Sequence, residues 1–218
     1  MCIRDSPKLG PGMMWEVCQK KLENNGSPTL LNEKVISIKH ENGLVKKINS
    51  TNRKGEQTEF TADQFISSMP LRELILSLTP TPPKHVINAA KNLKYRDFLT
   101  VVLVLKQKEI FPDNWIYIHT PEVKLGRIQN YKNWSPEMIA NPNHTTLGLE
   151  YFLWEKDEEW NWSEQRLIDL GVTECQRIGL ISKSDVLDAS VVKMKKACLL
   201  YTSPSPRDRT RSRMPSSA

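Results

Sequence analysis

The sequence predicts an α/β fold that is α+β in part, in which a partial Rossmann-like domain precedes a domain built on a mainly antiparallel sheet with helices. Three observations indicate this arrangement. Residues 62–71 have the order strand, small-residue turn and helix start. Residues 35–61 contain three β-like runs separated by tight-turn residues. Phe98–Leu105 is rich in Val and Leu, and shorter β-like runs follow it.

A turn at Ser67-Ser68 is the feature around which the first domain is interpreted. It follows the apolar pair Phe65-Ile66 and ends at Pro70, which cannot continue a central strand but suits the first turn of a helix. Small residues at the carboxyl end of a strand let a ligand approach the backbone, and a helix N-terminus presents free amides. The pattern predicts a ligand-facing turn, although an ordinary strand-to-helix turn has the same pattern.

The segment before this turn begins with a helix and continues with a small meander. A turn cluster at Pro7–Gly12 precedes a helix predicted over Met13–Asn25, whose apolar residues share one side. A short strand is predicted at Pro28–Leu31. Asn42-Gly43 between β-like runs predicts a tight hairpin, so Val35–Thr61 is interpreted as an antiparallel meander.

After the meander, a strand at Ala62–Ser68 is predicted to return to the main sheet. Prolines punctuate a linker at Thr79–Pro83, and a helix is predicted over Lys84–Leu93. Phe98–Leu105 is the most apolar run and is expected to be a central strand. The acidic segment Glu155–Glu159 is expected to be solvated. Further strands are predicted at Trp115–Ile118, Leu125–Gln129, Thr145–Phe152 and Val186–Met194, and a helix is predicted from the N-cap Ser163 to about Ile178.

Aromatic and amide side chains cluster in the second domain. A pocket for a flat or ring-shaped substrate needs apolar walls and a few fixed polar groups, and this cluster contains both. Arg127 attracts most interest, because an arginine within a β-run can form a fork to a carboxylate or phosphate. We therefore hypothesise that Arg127 binds an acidic substrate group. The candidate substrate-binding residues are Trp115, Tyr117, Arg127, Asn130 and Trp134, with Tyr131 and Asn133 beside them.

Composition and charge limit the classes of function. The chain has 218 residues, is 39% hydrophobic and carries a formal net charge of +6. Four arginines and one aspartate after residue 200 contribute +3 and residues 1–6 contribute zero, which leaves +3 for the remainder. This mild surplus does not indicate nucleic-acid binding. No apolar run reaches the roughly 18 residues of a membrane span, so no integral membrane segment is predicted.

Cysteine and histidine spacing predicts no metal site. Cys18 and Cys175 are far apart, Cys2 and Cys198 lie at or beside the ends, and no Cys-x-x-Cys occurs. The four histidines occur singly. With no secretory signal in the sequence, a reducing, cytoplasmic setting is the default prediction.

Several blocks resemble a known group of flavoenzymes. Leu9–Glu16 reads LGPGMMWE, Leu31–Ile38 reads LNEKVISI and Phe65–Leu71 reads FISSMPL. With the meander, they resemble the middle of FAD-dependent oxidoreductases of the amine oxidase and protoporphyrinogen oxidase-like group, which includes relatives of UDP-galactopyranose mutase. Tyr95–Val101 and Gly126–Pro136 are similar to a bacterial subgroup described as NAD(P)/FAD-dependent oxidoreductases.

The resemblance implies FAD as the cofactor and a small molecule as the substrate. It implies that the first meander strand contacts the adenine through its backbone, that the turn lies along the cofactor and that the first loop approaches the flavin. The residues implied in these three contacts are Val35 in the strand, Ser67, Ser68, Met69 and Pro70 in the turn, and Gly10, Gly12 and Met13 in the loop.

The resemblance covers nearly all of residues 7–197 and excludes both ends. Residues 1–6 and 198–218 resemble translated sequencing-adapter sequence, so we expect both to be non-native and the tail to be disordered. Residues 7–82 are expected to form a partial FAD-binding domain with the meander, and residues 83–197 a substrate-binding domain. Because no Gly-x-Gly-x-x-Gly fingerprint occurs, the chain is expected to be an internal fragment that does not hold FAD alone.

Three functions stay open from the sequence. The leading interpretation is a fragment of an FAD-dependent oxidoreductase, in which the flavin accepts hydride from an organic substrate. A sugar mutase that uses reduced flavin without net redox is an alternative, and an inactive truncated product is another. The sequence does not predict the catalytic residues, the substrate or the oligomeric state.

Overall fold

The computed structural model describes residues 7–154 and 156–200, with the side chains of residues 198–200 excepted. The expected non-native ends lie outside this range, apart from the backbone of residues 198–200. The chain forms two compact units: the described residues up to Ser27 together with Tyr95–Cys198, and Pro28–Lys94. The boundary between the two units lies between Lys94 and Tyr95, whereas the sequence predicts a domain boundary between residues 82 and 83. The assignment of flavin-binding and substrate-binding roles to the domains stays a prediction.

Pro28–Lys94, hereafter the meander unit, contains one mixed four-stranded sheet. Its strands are β1 (Lys34–Glu41), β2 (Leu44–Thr51), β3 (Gln57–Thr61) and β4 (Leu78–Thr79). Their order is β3-β2-β1-β4. β1 pairs antiparallel with β2, and β2 with β3, whereas the short β4 runs parallel to β1. The predicted meander is therefore confirmed.

A two-residue turn joins β1 to β2, as the sequence predicts. Asn42 has φ 51° and Gly43 has φ 78°, so both turn residues adopt the left-handed region that a tight primed turn requires. Residues with little or no steric penalty at positive φ occupy both places. β1 also contains a register shift between Val35 and Ser37, which leaves Ile36 as an extra residue opposite β2.

Two predicted strands of the meander unit are wrong. Neither Pro28–Leu31 nor Ala62–Ser68 is a strand, and the side chain of Ile66 is 100% exposed. A strand exists only where a neighbour accepts and donates its backbone hydrogen bonds, and no described residue pairs with either segment. The helices were predicted better: α2 (Leu71–Leu76) begins directly after Pro70, and α3 (Lys84–Asn92) follows the proline linker.

The other unit, hereafter the sheet unit, is built on a five-stranded sheet. Its strands are β5 (Lys94–Leu105), β6 (Trp115–Tyr117), β7 (Arg127–Asn130), β8 (Thr145–Leu153) and β9 (Val186–Leu200), in the order β6-β7-β8-β5-β9. The pairs β6–β7, β7–β8 and β8–β5 are antiparallel. The unit also contains α1 (Gly12–Asn24), the single turn α4 (Tyr131–Trp134) and α5 (Glu164–Arg177). The predicted central strand at Phe98–Leu105 and the mainly antiparallel sheet are confirmed.

One face of this sheet packs on α5 to form the core. Leu99, Val101 and Leu149 are fully buried, as is Leu167 of α5. Gly171 lies at the closest approach: a Cβ atom there would be 2.9 Å from Leu149 Cδ1. Glycine is unfavourable inside a helix, so its presence here reflects the space that close packing on the sheet requires.

The start of α5 confirms the predicted cap, and a buried carboxylate further along the helix holds a loop. Ser163 Oγ accepts a hydrogen bond from the Arg166 amide at 3.3 Å. Glu174 accepts hydrogen bonds from the backbone amides of Lys124 and Leu125, at 2.8 and 3.1 Å, and from Tyr151 Oη at 2.9 Å. The helix therefore fixes the segment that leads directly into β7.

The helix α1 was predicted correctly, but its apolar side is not buried. No residue of α1 is buried among the described residues, and Met14, Trp15 and Leu22 are exposed. Across residues 7–154 and 156–200, no helix combines the length and the apolar character needed to cross a bilayer.

Candidate functional site

Strand alternation places a polar set of side chains on the sheet face opposite α5. Trp115 pairs with Gln129, Tyr117 with Arg127, and Arg127 with Glu150. Ile116, Ile128 and Leu149 alternate with these residues and point to the core side. We call the first set the polar face, and it consists of Trp115, Tyr117, Arg127, Gln129, Gly148, Glu150 and Phe152.

The centre of the polar face is an ion pair. Arg127 Nε donates to Glu150 Oε2, and the side chains of the two residues are 27% and 6% exposed. Gln129 Nε2 donates to Glu150 Oε1 at 3.1 Å, so both oxygens of the carboxylate accept hydrogen bonds. The hydrogen bond to Glu150 raises the pKa of the Arg127 guanidinium above its usual value, against the opposing effect of burial. Arg127 therefore stays charged, with its charge compensated by its own chain.

Aromatic rings surround one end of this ion pair. The indoles of Trp115 and Trp134 stack with centroids 5.1 Å apart and planes at 14°. Trp134 Nε1 donates to Gln129 Oε1 at 2.8 Å, which extends the network from the stack to Glu150. The Arg127 guanidinium lies 5.8 Å from the Tyr117 ring centroid, within the range of a cation–π contact.

A second aromatic pair lies beyond the ion pair on β8 and β5. Phe152 and Phe98 are cross-strand neighbours, with ring centroids 5.6 Å apart and planes at 52°. Phe152 is 41% exposed, and its ring passes 2.9 Å from the position of a Cβ atom on Gly126. The charged centre of the polar face thus lies between two aromatic pairs.

Tyr131 of α4 lies directly on the backbone of β8. Its Oη and Cζ atoms, the latter at 2.8 Å, crowd the position of a Cβ atom on Gly148, so only glycine leaves room for this ring. Burial raises the pKa of the Tyr131 phenol, and the negative charge of Glu150 adds to the rise. The phenol is therefore protonated at neutral pH.

The two asparagines of the predicted cluster do not join the polar face. Asn130 is 2% exposed, and alternation along β7 places it on the same side as Ile128. Its Nδ2 donates to the Phe111 carbonyl at 3.3 Å. Asn133 Nδ2 donates to the carbonyls of Phe111 and Asp113, each at 2.9 Å. Both amides hold the segment before β6. The sequence analysis groups Asn130 with Arg127 as substrate-binding residues, but the structure places the two on opposite faces of the sheet.

The residues predicted to contact a cofactor lie in both units. In the meander unit, Val35 is half-buried in β1 opposite Ser50. Ser67, Ser68 and Pro70 are exposed, and the Met69 amide donates to Ser67 Oγ at 3.4 Å. Contacts of these residues with a cofactor stay a prediction.

In the sheet unit, the loop before α1 is tied to the segment after α4. Gly10 is buried with φ 88°, and a Cβ atom there would lie 3.2 Å from Met138 Cε. Ser135 Oγ donates to the Lys8 carbonyl at 2.7 Å. By contrast, Gly12 opens α1 with free space around its Cβ position. A flavin contact of Gly10, Gly12 and Met13 stays a prediction.

Sequence reasoning missed the two residues that complete the network, Gln129 and Glu150. Glu150 is the single charged residue in the run Thr145–Phe152, which is a signal for a partner on the same sheet face. Gln129 is two residues from Arg127 and therefore on the same side of β7. The arrangement of these side chains can bind and orient a flat molecule by hydrogen bonds and ring contacts.

Solved structures of similar fold include two proteins named as oxidoreductases and a mutase. A reduced UDP-galactopyranose mutase matches with a TM-score of 0.68 and 17% identity over 86% of this chain and 39% of that one. A protein from Exiguobacterium sp. 255-15 with a provisional protoporphyrinogen oxidase name matches with a TM-score of 0.70 and 15% identity, over 95% of this chain and 44% of that one. An oxidoreductase from Methanosarcina mazei matches with a TM-score of 0.63 and 15% identity, over 84% and 42%. At these identities, the likeness shows the fold.

The chain spans about two fifths of the length of the solved structures that it matches. A search of curated proteins found no significant match. The family comparison is more informative, because the model for flavin-containing amine oxidoreductases matches residues 13–196, which include the meander, the polar face and α5. The family implies FAD as its cofactor, as the sequence resemblance does. This chain belongs to the flavin-containing amine oxidoreductase family.

Proposed function

We propose that this chain is the central part of an FAD-dependent oxidoreductase that takes hydride equivalents from an organic small-molecule substrate. In such an enzyme the flavin supplies the redox chemistry, and the protein binds the substrate, orients it and excludes water. The observation that supports this function most directly is the polar face. It presents a fixed hydrogen-bonding network and stacked rings on one side of a sheet whose other side is covered by α5.

The meander unit contains backbone suited to the adenine end of FAD. β4 pairs with β1 only at Ile38 and Lys39, so the same edge of β1 near Val35 has no strand partner among the described residues. A strand edge offers both amide and carbonyl groups, and a backbone contact leaves the Val35 side chain free to pack. The exposed turn from Ser67 to Pro70 likewise leaves backbone accessible. These features fit the adenine and the adjoining part of the cofactor.

The pyrophosphate of FAD needs a different element. Dinucleotide-binding domains hold it with a glycine-rich turn at a helix N-terminus, and the sequence contains no Gly-x-Gly-x-x-Gly. We therefore assign the polar face and the adenine edge to this chain, and the complete cofactor site to the full-length flavoenzyme.

The test uses the full-length flavoenzyme recovered from the flanking genomic sequence. It should purify with the visible absorbance of bound flavin, and a substrate screen should bleach that absorbance under anaerobic conditions as the flavin is reduced. Arg127→Ala should raise KM for that substrate by about tenfold or more while the flavin stays bound. A full-length protein that binds no flavin would contradict this function.

The mutase alternative makes a different prediction for the same preparation. A mutase that works through reduced flavin converts its sugar substrate without net redox, so the flavin spectrum after turnover would equal that before it. The similarity in fold to a protein named as a UDP-galactopyranose mutase is the observation that favours this alternative. An inactive truncated product would lack both flavin binding and turnover.

A further inference from the structure

The charge of Arg127 is already compensated within the polar face. Its Nε contacts Glu150, whose side chain is almost fully buried and whose second oxygen is held by Gln129. A carboxylate fixed from two sides cannot swing away from the guanidinium to make room for a substrate anion. The centre of the polar face is therefore close to electrically neutral.

An anion at this centre would meet both members of the pair. It would be attracted by Arg127 and repelled by the fixed charge of Glu150, and the two effects largely cancel at similar distances. A cation would be attracted by Glu150 and repelled by Arg127, and both Glu150 oxygens already accept hydrogen bonds from Arg127 and Gln129. An uncharged hydrogen-bond acceptor has no such penalty, because a guanidinium has five N–H groups and the hydrogen bonds to Glu150 and Tyr117 leave others for a ligand.

The surroundings of the pair favour a ring. Trp115 and Trp134 form one stacked pair, and Phe98 and Phe152 lie on the opposite side of the pair along the strands. Aromatic side chains supply large apolar contact areas to flat ligands. A ligand that spans the polar face would therefore place a ring against an aromatic pair and an acceptor atom near Arg127.

We infer that the polar face selects an uncharged, ring-bearing substrate over an anionic one, and that Glu150 sets this selectivity. The inference rests on the proposed function, since it names the substrate class of the same site. It replaces the hypothesis from the sequence that Arg127 binds an acidic substrate group. In this assignment Glu150 is a specificity-determining residue, which acts by compensating the guanidinium charge that would otherwise attract an anion.

The experiment compares three probes of one shape and different charge, added to the full chain at neutral pH. The probes are 2-naphthamide, 2-naphthoate and 2-naphthylmethylammonium, and binding is measured by calorimetry and by ligand-observed NMR. Wild-type protein should bind the amide about tenfold more tightly than either charged probe. In Glu150→Gln, affinity for naphthoate should rise about tenfold, while affinity for the amide changes by less than about twofold.

Two further variants separate selectivity from folding. Arg127→Gln/Glu150→Gln removes both charges and should keep the preference of wild type for the amide. Glu59→Gln breaks a surface pair with Lys47 in the meander unit and should leave all three affinities unchanged. Far-ultraviolet circular dichroism establishes that each variant is folded. If Glu150→Gln does not fold, the wild-type ratios and the double variant still decide the result.

Three outcomes would overturn the inference. The first is tighter binding of naphthoate than of the amide by wild type, which would make Arg127 an anion receptor despite Glu150. The second is unchanged naphthoate affinity in a folded Glu150→Gln variant. The third is the absence of binding of any probe at millimolar concentration. None of these measurements involves flavin, so failure here is distinct from failure of the proposed function, which the spectrum of the full-length flavoenzyme tests.

Discussion

The Cζ atom of Tyr131 lies 2.8 Å from the position that a Cβ atom on Gly148 would occupy, and the hydroxyl oxygen lies closer still. A tyrosine ring from α4 thus lies directly on the backbone of the central strand β8, beside Glu150 on the polar face. Real Cβ atoms essentially never show so short a contact, so a larger residue at position 148 requires the half-buried Tyr131 ring to move. The contact explains why a strand interior contains a glycine, which is otherwise unfavourable there.

Substitution of Gly148 by alanine should displace Tyr131. We expect Gly148→Ala to lower the free energy of unfolding by about 1–3 kcal/mol, as overpacking generally does, and urea denaturation measures it. Tyr131→Leu/Gly148→Ala should recover part of this loss, because the smaller side chain makes room for the methyl group. Gly12→Ala is the control, since its Cβ position is open, and it should be neutral or slightly stabilising. Equal losses in the two single alanine variants would contradict the contact.

Removal of the Glu150 charge should be costly for stability. Glu150→Gln leaves a partly buried guanidinium without its counter-ion, so we expect a loss of about 2–4 kcal/mol in the free energy of unfolding. The matched substitution Glu59→Gln breaks an exposed pair and should cost under about 1 kcal/mol. Thermal and urea unfolding of both variants provide the comparison. A loss for Glu150→Gln no larger than that for Glu59→Gln would show that the buried pair does not contribute.

Glu174 should be the least replaceable residue of α5. All three of its partners are donors, so the NH₂ group of a glutamine would face a donor, and we expect Glu174→Gln to cost about 2–4 kcal/mol. Burial raises the pKa of the Tyr151 phenol far above its usual value, which keeps it a donor. Asp169→Asn, on the exposed side of the same helix, is the control and should change stability by about 0.5 kcal/mol or less.

A double-mutant cycle tests whether these partners act as one network. Tyr151→Phe should cost about 1–2 kcal/mol on its own. Together with Glu174→Gln it should cost less than the two losses added, because both variants break the same hydrogen bond. Strict additivity would mean that Tyr151 and Glu174 are energetically independent.

The contribution of Glu159 should disappear in acid. A hydrogen bond from Lys124 holds the pKa of this buried carboxyl below its usual range. A carboxyl with a depressed folded pKa contributes stability above its unfolded pKa, and that contribution is lost as the pH falls through the folded pKa. We therefore expect wild type to be more stable than Glu159→Gln by a constant amount from pH 7 to about 5, with the gap narrowing below about 4.5.

Urea midpoints measured for both proteins between neutral pH and pH 3 give this comparison. The lowered pKa of Asp185, which arises mainly from the Ser182 amide, is common to both proteins and cancels. A gap that stays constant or widens in acid would contradict the role of Glu159.

Cys175 and Cys18 should differ sharply in reactivity. Burial, with a further contribution from the Glu174 charge, raises the pKa of the Cys175 thiol to about 12, whereas Cys18 is exposed. Thiolate is the reactive form, so iodoacetamide at pH 8 should modify Cys18 in the native protein and Cys175 only in denaturant. Peptide mass spectrometry measures the two sites separately. Modification of both at similar rates under native conditions would show that α5 opens readily.

Elements defined by local chemistry were predictable from the sequence. The Asn42-Gly43 hairpin depends on two adjacent residues that accept positive φ. The start of α5 depends on a serine and the amide three residues later. The helix start after Pro70 and the apolar run of β5 are likewise readable within a few residues.

Features that depend on distant partners were not predictable. Ala62–Ser68 has the composition of a strand but no neighbour to pair with among the described residues. The pair of Arg127 and Glu150 joins residues 23 apart, through a register that neither strand specifies alone. Asn130 was grouped with Arg127 because the two are close in sequence. Side chains alternate along β7, however, and Asn130 points to the opposite face of the sheet.

The predicted solvated character of the acidic segment holds only in part. Glu158 is exposed, as expected for that segment, but Glu159 is buried against Lys124. Adjacent charged residues can thus have opposite environments, because a short helical turn points them in different directions. Composition alone does not distinguish them.

The hydrogen bonds from Lys124 and Leu125 to Glu174 have a practical consequence for engineering. Two residues before Arg127, the chain is anchored to a helix on the far side of the sheet. A library confined to α5 should therefore shift the position of β7 and of its polar side chains without altering any residue of the polar face itself.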